Sequence, residues 1–266
     1  MNLLFCINRK LDSLFLNCIR SIVNKGGYER YDAYVLHSDF EQSYIEMLCK
    51  VFNGTVYFHF IEMPNDIFEG FPETERYPKE IYFRLAAPLV LPQELDRILY
   101  LDVDTVVINP LTELYEMEFD GNYYIGCTHT HKLLTKINQL RLQSSKAVSY
   151  INSGVLLLNL PYLRENLDFN EICDYANKRK KSLILPDQDI LTALYGDKVK
   201  VIDTLRYNLS ERILTAYNAD PSHKRIDVSW VRENGVIIHY CGKNKPWKDN
   251  YVGTLGIFYQ ESKQCE

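Results

Sequence analysis

The sequence predicts one α/β domain with a Rossmann-like, mostly parallel central sheet flanked by helices. Short apolar runs, which predict buried strands, alternate with amphipathic stretches of helical periodicity from the first residues onward. The chain has 266 residues, 46% of them hydrophobic and 24% charged, and a chain of this size can bury a large core without disulfides or a structural metal. No repeat, low-complexity tract or Pro/Gly linker divides it.

The elements are predicted in order from these patterns. Apolar residues Leu14, Phe15, Cys18, Ile19 and Ile22 recur at helical spacing before Gly26-Gly27, which ends the first helix. The run at 98–107 is apolar and β-branched and is the clearest strand in the chain. The predicted strands lie at 3–7, 33–37, 56–61, 98–107, 155–160, 199–203 and 236–240, and the predicted helices at 12–25, 43–52, 79–90 and 186–196.

Composition and charge exclude several classes of protein. Thirty Lys and Arg against 35 Asp and Glu give a net charge of -5, whereas a dedicated nucleic-acid binder would be basic. The seven cysteines form no Cys-x-x-Cys pair, which favours reduced thiols over a disulfide framework. The chain has neither a Rossmann dinucleotide motif nor a P-loop. With no apolar run long enough for a membrane span, we expect a cytoplasmic protein, or one peripheral on the inner face of the cell membrane.

Two carboxylates lie within the predicted strand at 98–107. Asp102 and Asp104 are two residues apart and would therefore share one face of an extended chain. Two ionised acids in apolar surroundings repel and lose hydration, so a divalent cation such as Mn²⁺ or Mg²⁺ is their natural partner. The alternative is a turn after a strand, in which the carboxylates bond local backbone amides.

A second polar cluster follows the predicted strand at 236–240. His239 could complete a metal site, Gly242 allows close backbone approach, and Lys245 offers a cation to a phosphate. The alternative is a core histidine bonded to backbone, with a solvated lysine.

Three further segments carry polar groups in apolar surroundings. Arg84, in a helical run with little other charge, needs an anion from the protein or from a ligand. Asn152 and Ser153 precede a predicted strand and suit either a pocket wall or a turn. Asp187 and Gln188 begin the helix at 186–196, where they would cap it or face a substrate.

The stretch from Cys127 to His131 resembles half of a zinc site, but no second Cys/His pair lies at useful spacing. We therefore interpret it as loop or acceptor-side residues. The polar segment 127–149 is predicted to form a loop over the site, where it would contact a second substrate.

Taken in order, these segments resemble glycosyltransferase family 8, retaining enzymes of the GT-A fold, and the bacterial branch that builds lipopolysaccharide and related surface glycans. The matching stretches are Phe83-Arg84-Leu85, Tyr100-Leu101-Asp102-Val103-Asp104, residues 150–160, Leu185-Pro186-Asp187-Gln188-Asp189 and the segment from His239 to Trp247. The resemblance implies an Mn²⁺-dependent hexosyltransferase, with Mg²⁺ as the other candidate ion. Its donor would be UDP-galactose or UDP-glucose, and its acceptor a glycan, glycolipid or glycoprotein.

The same resemblance assigns roles to residues. The implied metal ligands are Asp102, Asp104 and His239. The implied nucleotide and phosphate contacts are Cys6, Asn8, Asp102, Val103, Gly242 and Lys245. Arg84, Asn152, Ser153, Asp187 and Gln188 would line the donor sugar, with Gln188 and Asp187 as the catalytic pair. We expect one glycosyltransferase domain over 1–266, with a core at about 1–250 and a short tail at 251–266.

One segment departs from the family pattern. The family commonly has acidic and aromatic residues after the first strand, where this chain reads Asn8-Arg9-Lys10-Leu11, so the resemblance does not define the base and ribose contacts or the choice of nucleotide. The alternative functions are a non-catalytic nucleotide-sugar or glycan-binding module, and a nucleotidyltransferase. The latter would require a Gly-rich basic loop after the first strand, which the sequence lacks.

Overall fold

The computed structural model of the chain describes residues 1–64, 66–74, 77–128, 141–142 and 150–264. Within these residues a seven-stranded sheet has the order β3-β2-β1-β4-β7-β6-β8, and β5 pairs with β9 in a separate ribbon. The strands are β1 (Asn2–Cys6), β2 (Tyr31–His37), β3 (Val56–Glu62), β4 (Arg97–Leu101), β5 (Thr105–Val107), β6 (Tyr124–Thr128), β7 (Ile151–Asn159), β8 (Val199–Val201) and β9 (Ile237–His239).

Helices connect and cover these strands. They are α1 (Asp12–Lys25), α2 (Gln42–Val51), α3 (Phe83–Val90), α4 (Thr112–Tyr115), α5 (Leu160–Asn166), α6 (Phe169–Arg179), α7 (Pro186–Tyr195), α8 (Thr204–Tyr207), α9 (Glu211–Ala219), α10 (Val228–Asn234) and α11 (Gly256–Gln264). None of the helices in the described part of the chain is long and apolar enough to cross a bilayer.

The large sheet is mostly parallel, as the sequence predicts. The pairs β1–β2, β2–β3, β1–β4 and β6–β8 are all parallel. Strand β7 runs antiparallel to both neighbours, β4 and β6. The first residues of β7 therefore lie at the same edge of the sheet as the carboxyl ends of β1 and β4, which is the edge where α/β proteins bind ligands.

Alternation along the strands builds a core on each face of the sheet. Leu3 and Phe5 pack into one buried cluster with helix α1, whereas Leu4 and Cys6 pack into the other with helix α3. Such burial on both faces is characteristic of parallel sheets covered by helices. A third cluster, beneath the β5–β9 ribbon, includes Phe258 of helix α11.

The predicted strand at 98–107 is wrong as a single element. The chain leaves the sheet after Leu101, turns through 102–104, and re-enters a strand at Thr105, which pairs with β9 instead. The Thr105 amide and hydroxyl both donate to the Asp102 carbonyl, at 3.2 and 2.8 Å. This turn sends the two halves of one apolar run into two different sheets.

Strand β7 also begins earlier than the predicted strand at 155–160. Ile151 and Asn152 already pair with Thr128 and Cys127 of β6, and the Gly154 carbonyl accepts from the Asp102 amide just after β4. The small polar residues Asn152 and Ser153 are therefore part of the strand rather than of a turn before it.

Candidate active site

Three potential metal ligands meet at the turn between β4 and β5. One carboxylate oxygen of Asp102, one of Asp104 and a ring nitrogen of His239 all lie within 4.8 Å of one another. His239 Nε2 is 3.1 Å from Asp104 Oδ1 and 3.7 Å from Asp102 Oδ2. Two carboxylates and one imidazole, gathered from segments more than 130 residues apart, form a donor set that can hold a divalent ion.

The turn and the ribbon explain why these groups meet. Antiparallel pairing sets Thr105 opposite His239, so the residues just before Thr105 reach the imidazole. Gly154 of β7 lies directly beneath them. A Cβ added there would be 2.5 Å from Asp102 Oδ2 and would collide with His239 Cε1. The site therefore requires a residue without a side chain at position 154.

Asp104 is held from two sides by cations of the protein. His239 contacts one carboxylate oxygen, and the Lys245 ammonium donates to the other at 2.5 Å and to the Tyr240 carbonyl at 2.6 Å. Burial alone would raise the pKa of the Asp104 carboxyl, but His239 and Lys245 outweigh it and hold that pKa well below its usual range. Burial likewise opposes the charged imidazole, yet Asp104 raises the pKa of His239 to about 9.

The buried guanidinium of Arg84 has protein anions as partners. It lies 3.1 Å from Asp102 Oδ1 and 3.3 Å from Asp187 Oδ2, and it donates to the Ser153 carbonyl at 2.8 Å. It also stacks on the ring of Tyr100, 4.1 Å from the ring centroid. Arg84 is thus a structural ion-pair partner, and it links the carboxylates of the β4 turn and helix α7.

Helix α7 presents its first turn to the start of β7. Leu185 occupies the N-cap position. The carboxylate that accepts from the backbone amides at this helix start, those of Ile184 and Leu185, belongs to Asp189 and not to Asp187. Asp187 Oδ2 instead accepts a hydrogen bond from the Ser153 hydroxyl at 2.8 Å. Burial raises the pKa of the Asp187 carboxyl, while Arg84 and Ser153 limit that rise.

Gln188 lies beside Asp187, and its Oε1 accepts from Asn152 Nδ2 and from the Ser153 amide, at 3.3 Å each. Asn152 Oδ1 in turn accepts from the Gly154 amide at 3.1 Å. The structure therefore brings Asn152, Ser153, Asp187 and Gln188 into one buried hydrogen-bonded group, and Arg84 joins it to the potential metal ligands.

One member of this group is absent from the sequence-based set. Asn208, at the C-terminal end of α8, has 0% of its surface exposed. Its Nδ2 donates to Asn152 Oδ1 and its Oδ1 contacts His239 Nδ1, both at 2.8 Å. An asparagine at a helix end is ordinarily interpreted as a cap, so no sequence signal distinguishes this residue.

The remaining sequence-predicted residues lie around this group. Cys6 ends β1, and burial raises the pKa of its thiol despite the charge of Arg84. Asn8 caps a short 3₁₀ helix, accepting from the Lys10 amide at 3.2 Å. Val103 lies in the turn between the two aspartates, and Gly242 adopts a φ of +91° in open space.

The proposed acceptor side is largely outside the described residues. Of the segment 127–149, Cys127 and Thr128 end β6 and residues 141–142 are described, whereas His129 and His131 lie outside the described ranges.

Comparison with known proteins identifies the family. The family profile described as glycosyl transferase family 8 matches residues 2–251. The chain is 27% identical over 245 residues to a lipopolysaccharide 1,2-glucosyltransferase of Escherichia coli, covering 89% of this chain and 70% of that one. It is 24% identical over 250 residues to a lipopolysaccharide 1,3-galactosyltransferase of Salmonella typhimurium, with coverages of 88% and 69%.

Solved structures show the same fold. The galactosyltransferase LgtC, crystallised with donor and acceptor sugar analogues, superposes with a TM-score of 0.82 at 22% identity, covering 98% of this chain and 95% of that one. The glycosyltransferase GlyE of Streptococcus pneumoniae superposes with a TM-score of 0.74 at 19% identity, covering 99% and 60%. These likenesses confirm the predicted GT-A fold, and with the match over residues 2–251 they establish that the chain belongs to glycosyl transferase family 8.

Proposed function

We propose that the protein is a retaining hexosyltransferase that moves galactose or glucose from UDP-galactose or UDP-glucose to a glycan, glycolipid or glycoprotein acceptor. The observation that carries the proposal is the convergence of Asp102, Asp104 and His239 on one point, next to the cations Lys245 and Arg84. The relatives named as lipopolysaccharide glucosyl- and galactosyltransferases support this choice of sugars.

The proposed metal is Mn²⁺, with Mg²⁺ as the alternative. Asp102, Asp104 and His239 would hold it, and the mixture of two carboxylates with one imidazole favours a borderline ion over one that prefers oxygen ligands alone. The glycine beneath the three groups supports the fit, because the close approach of Asp102 and His239 depends on it. Such an ion, when bound, neutralises negative charge on the departing diphosphate.

The protein's own cations would share that task. Lys245 lies beside Asp104 with 18% of its side chain exposed, on the segment that also carries Gly242. Its ammonium can supply a point charge to a phosphate oxygen, and Gly242, whose added Cβ would meet nothing within 4 Å, leaves backbone accessible there. Cys6, Asn8 and Val103 are the proposed contacts to the nucleoside side of the donor.

The hydrogen-bonded group at the start of β7 would bind the hexose. Asn152, Ser153, Asp187 and Gln188 carry donors and acceptors suited to sugar hydroxyls, and Arg84 holds two of the surrounding carboxylates in place. Gln188 is the proposed residue beside the anomeric carbon, where an amide oxygen stabilises positive charge that develops as the leaving group departs.

We expect attack on the face from which UDP leaves. The bond between the anomeric carbon and the UDP β-phosphate oxygen breaks, the acceptor hydroxyl oxygen bonds to that carbon, and the hydroxyl proton passes to the departing phosphate oxygen. A double displacement would need a free carboxylate nucleophile. Asp187 is committed to Ser153 and Arg84, and the Gln188 amide is a poor nucleophile.

The test is UDP release from a panel of UDP-sugars with Mn²⁺ and with EDTA. We expect slow hydrolysis of one donor, dependent on Mn²⁺, abolished in Asp104→Asn and unchanged in Asp174→Asn. Asp174 is an exposed carboxylate with 70% of its side chain accessible and serves as the matched control. Binding of UDP and Mn²⁺ without turnover on any donor or acceptor would instead indicate a non-catalytic binding module.

We also propose that residues 1–266 form one glycosyltransferase domain and that it acts in the cytoplasm or on the inner face of the cell membrane. Fractionation of cells that express the chain, with a salt wash of the membrane pellet, tests the location. If the protein leaves the membrane pellet only with detergent and not with salt, the proposed location is wrong.

A further inference from the structure

A continuous path of hydrogen bonds joins the potential metal ligands to the proposed sugar-binding residues. It runs from His239 through Asn208 and Asn152 to Gln188, with heavy-atom separations of 2.8, 2.8 and 3.3 Å. All four residues are at least 93% buried, and a polar group that loses its partner in such surroundings is costly.

Two backbone amides fix the direction of every bond on this path. The Gly154 N–H can only donate, so the atom of Asn152 that faces it is Oδ1. The Ser153 N–H likewise identifies the atom of Gln188 that faces it as Oε1. Asn152 therefore offers its Nδ2 to Gln188 and its Oδ1 to Asn208.

The orientation of Asn208 follows from this arrangement. Only its Nδ2 can face the acceptor oxygen of Asn152, so its Oδ1 must face His239 Nδ1. An oxygen at that position requires the proton on Nδ1, which makes Nε2 the ring nitrogen presented to Asp102 and Asp104. The Gly154 N–H thereby sets the tautomer of the His239 imidazole. It does so through the side-chain amides of Asn152 and Asn208.

We infer that Asn208 is a positioning residue that couples the metal site to the donor-sugar site. It holds the His239 ring in the metal-binding tautomer on one side and orients Asn152 and Gln188 on the other. The inference rests on the proposed function, since it takes His239 as a metal ligand and Gln188 as a sugar contact. It gives a role to a residue that the sequence pattern does not identify and that is not among the proposed contacts to the metal or the donor.

Two substitutions separate the two tasks of Asn208. Asn208→Ala removes both hydrogen bonds, and we expect the dissociation constant for Mn²⁺ to rise about 10- to 100-fold, the usual effect of losing an outer-shell partner of a metal-binding histidine. Asn208→Asp is isosteric and keeps an acceptor against His239 Nδ1. It also sets an oxygen against Asn152 Oδ1, where a donor is needed.

The aspartate variant should therefore bind Mn²⁺ within about threefold of wild type and yet hydrolyse the UDP-sugar at least about tenfold more slowly at saturating Mn²⁺. Asn159→Ala is the matched control. Asn159 is a buried asparagine at the far end of β7, the strand that carries Asn152, and it donates to the Asn122 carbonyl at 3.0 Å. We expect this variant to lose stability and to keep both properties.

The experiment measures free Mn²⁺ by electron paramagnetic resonance, and UDP release at saturating Mn²⁺, for wild type and the three variants. Unfolding curves are recorded alongside, and Asn208→Asp decides the question if the alanine variant does not fold. Unchanged Mn²⁺ affinity in folded Asn208→Ala, or equal loss of affinity and turnover in Asn208→Asp, overturns the coupling. Failure of wild type to bind Mn²⁺ overturns the proposed function and the inference with it.

Discussion

Replacement of Gly154 by alanine should damage the metal site more than the fold. The new Cβ would lie 2.5 Å from Asp102 Oδ2, whereas ordinary contacts begin at about 3.4 Å. The carboxylate would have to retreat by about 0.9 Å, or the imidazole of His239 would have to swing away. Metal–ligand distances tolerate deviations of only about 0.2 Å.

The expected result has two parts with different magnitudes. Overpacking of a buried position costs about 1–3 kcal/mol of stability, and the protein should remain folded. Displacement of Asp102 or His239 should raise the dissociation constant for Mn²⁺ about 10- to 100-fold. This is the usual effect of removing the contacts that hold a metal ligand in place.

Isothermal titration with Mn²⁺ and urea unfolding measure the two quantities on the same samples. Gly126→Ala is the control, because its Cβ would meet the end of the Leu156 side chain at 2.8 Å, on β6 and away from the three ligands. It should lose stability and retain its affinity. Equal Mn²⁺ affinity in Gly154→Ala and wild type would refute the reasoning that position 154 must be a glycine for the site to form.

Three further predictions concern buried charges. Arg84→Ala leaves two carboxylates without their shared cation and should lower the free energy of unfolding in urea by about 3–5 kcal/mol. The control, Arg232→Ala, removes an exposed arginine and should lower it by less than about 1 kcal/mol. Similar losses of stability in the two variants would contradict the prediction. In metal-free protein the raised pKa of His239, about 9, contributes stability that is complete below pH 6.5 and is lost as pH rises through 9. The unfolding free energy measured in EDTA should fall over that range, and a fall that persists in His239→Gln would argue against the assignment. Asp189 has 0% of its surface exposed, and each of its carboxylate oxygens accepts from the Arg141 guanidinium at 2.7 Å. Asp189→Asn should therefore lower the free energy of unfolding by about 3–5 kcal/mol. A loss below about 1 kcal/mol in urea unfolding would be inconsistent with a buried ion pair.

The sequence pattern predicts the sheet well because burial leaves a local trace. Leu3 and Phe5 face one side of the sheet and Leu4 faces the other, and all three are apolar because helices cover both sides. The turn at Asp102 is marked only by its two aspartates, which fit a turn as well as they fit a strand that carries a metal site. Apolar residues continue on both sides of it, and the change of partner from β7 to β9 depends on segments distant in sequence.

The same distinction explains which site residues could be predicted. Asp102, Asp104 and His239 stand out because charged or titratable groups are unusual at the ends of apolar strands. Arg84 stands out because a charge is unusual in an apolar helix, and its need for an anion is met by Asp102 and by Asp187, the latter about 100 residues away. Asn208 is an uncharged residue at the end of a short helix, and only tertiary structure reveals that its amide faces two other polar side chains.

The reversed direction of β7 has a consequence for how the protein folds. The Asp102 amide donates to the Gly154 carbonyl at 2.8 Å, so the turn that carries the two aspartates is tied to a strand about 50 residues further along the chain. Contacts between residues this far apart in sequence form late, because their loop-closure entropy is large. The site is therefore complete only after both β7 and β9 are in place, and a nascent chain released before β7 would carry Asp102 and Asp104 without Gly154 or His239.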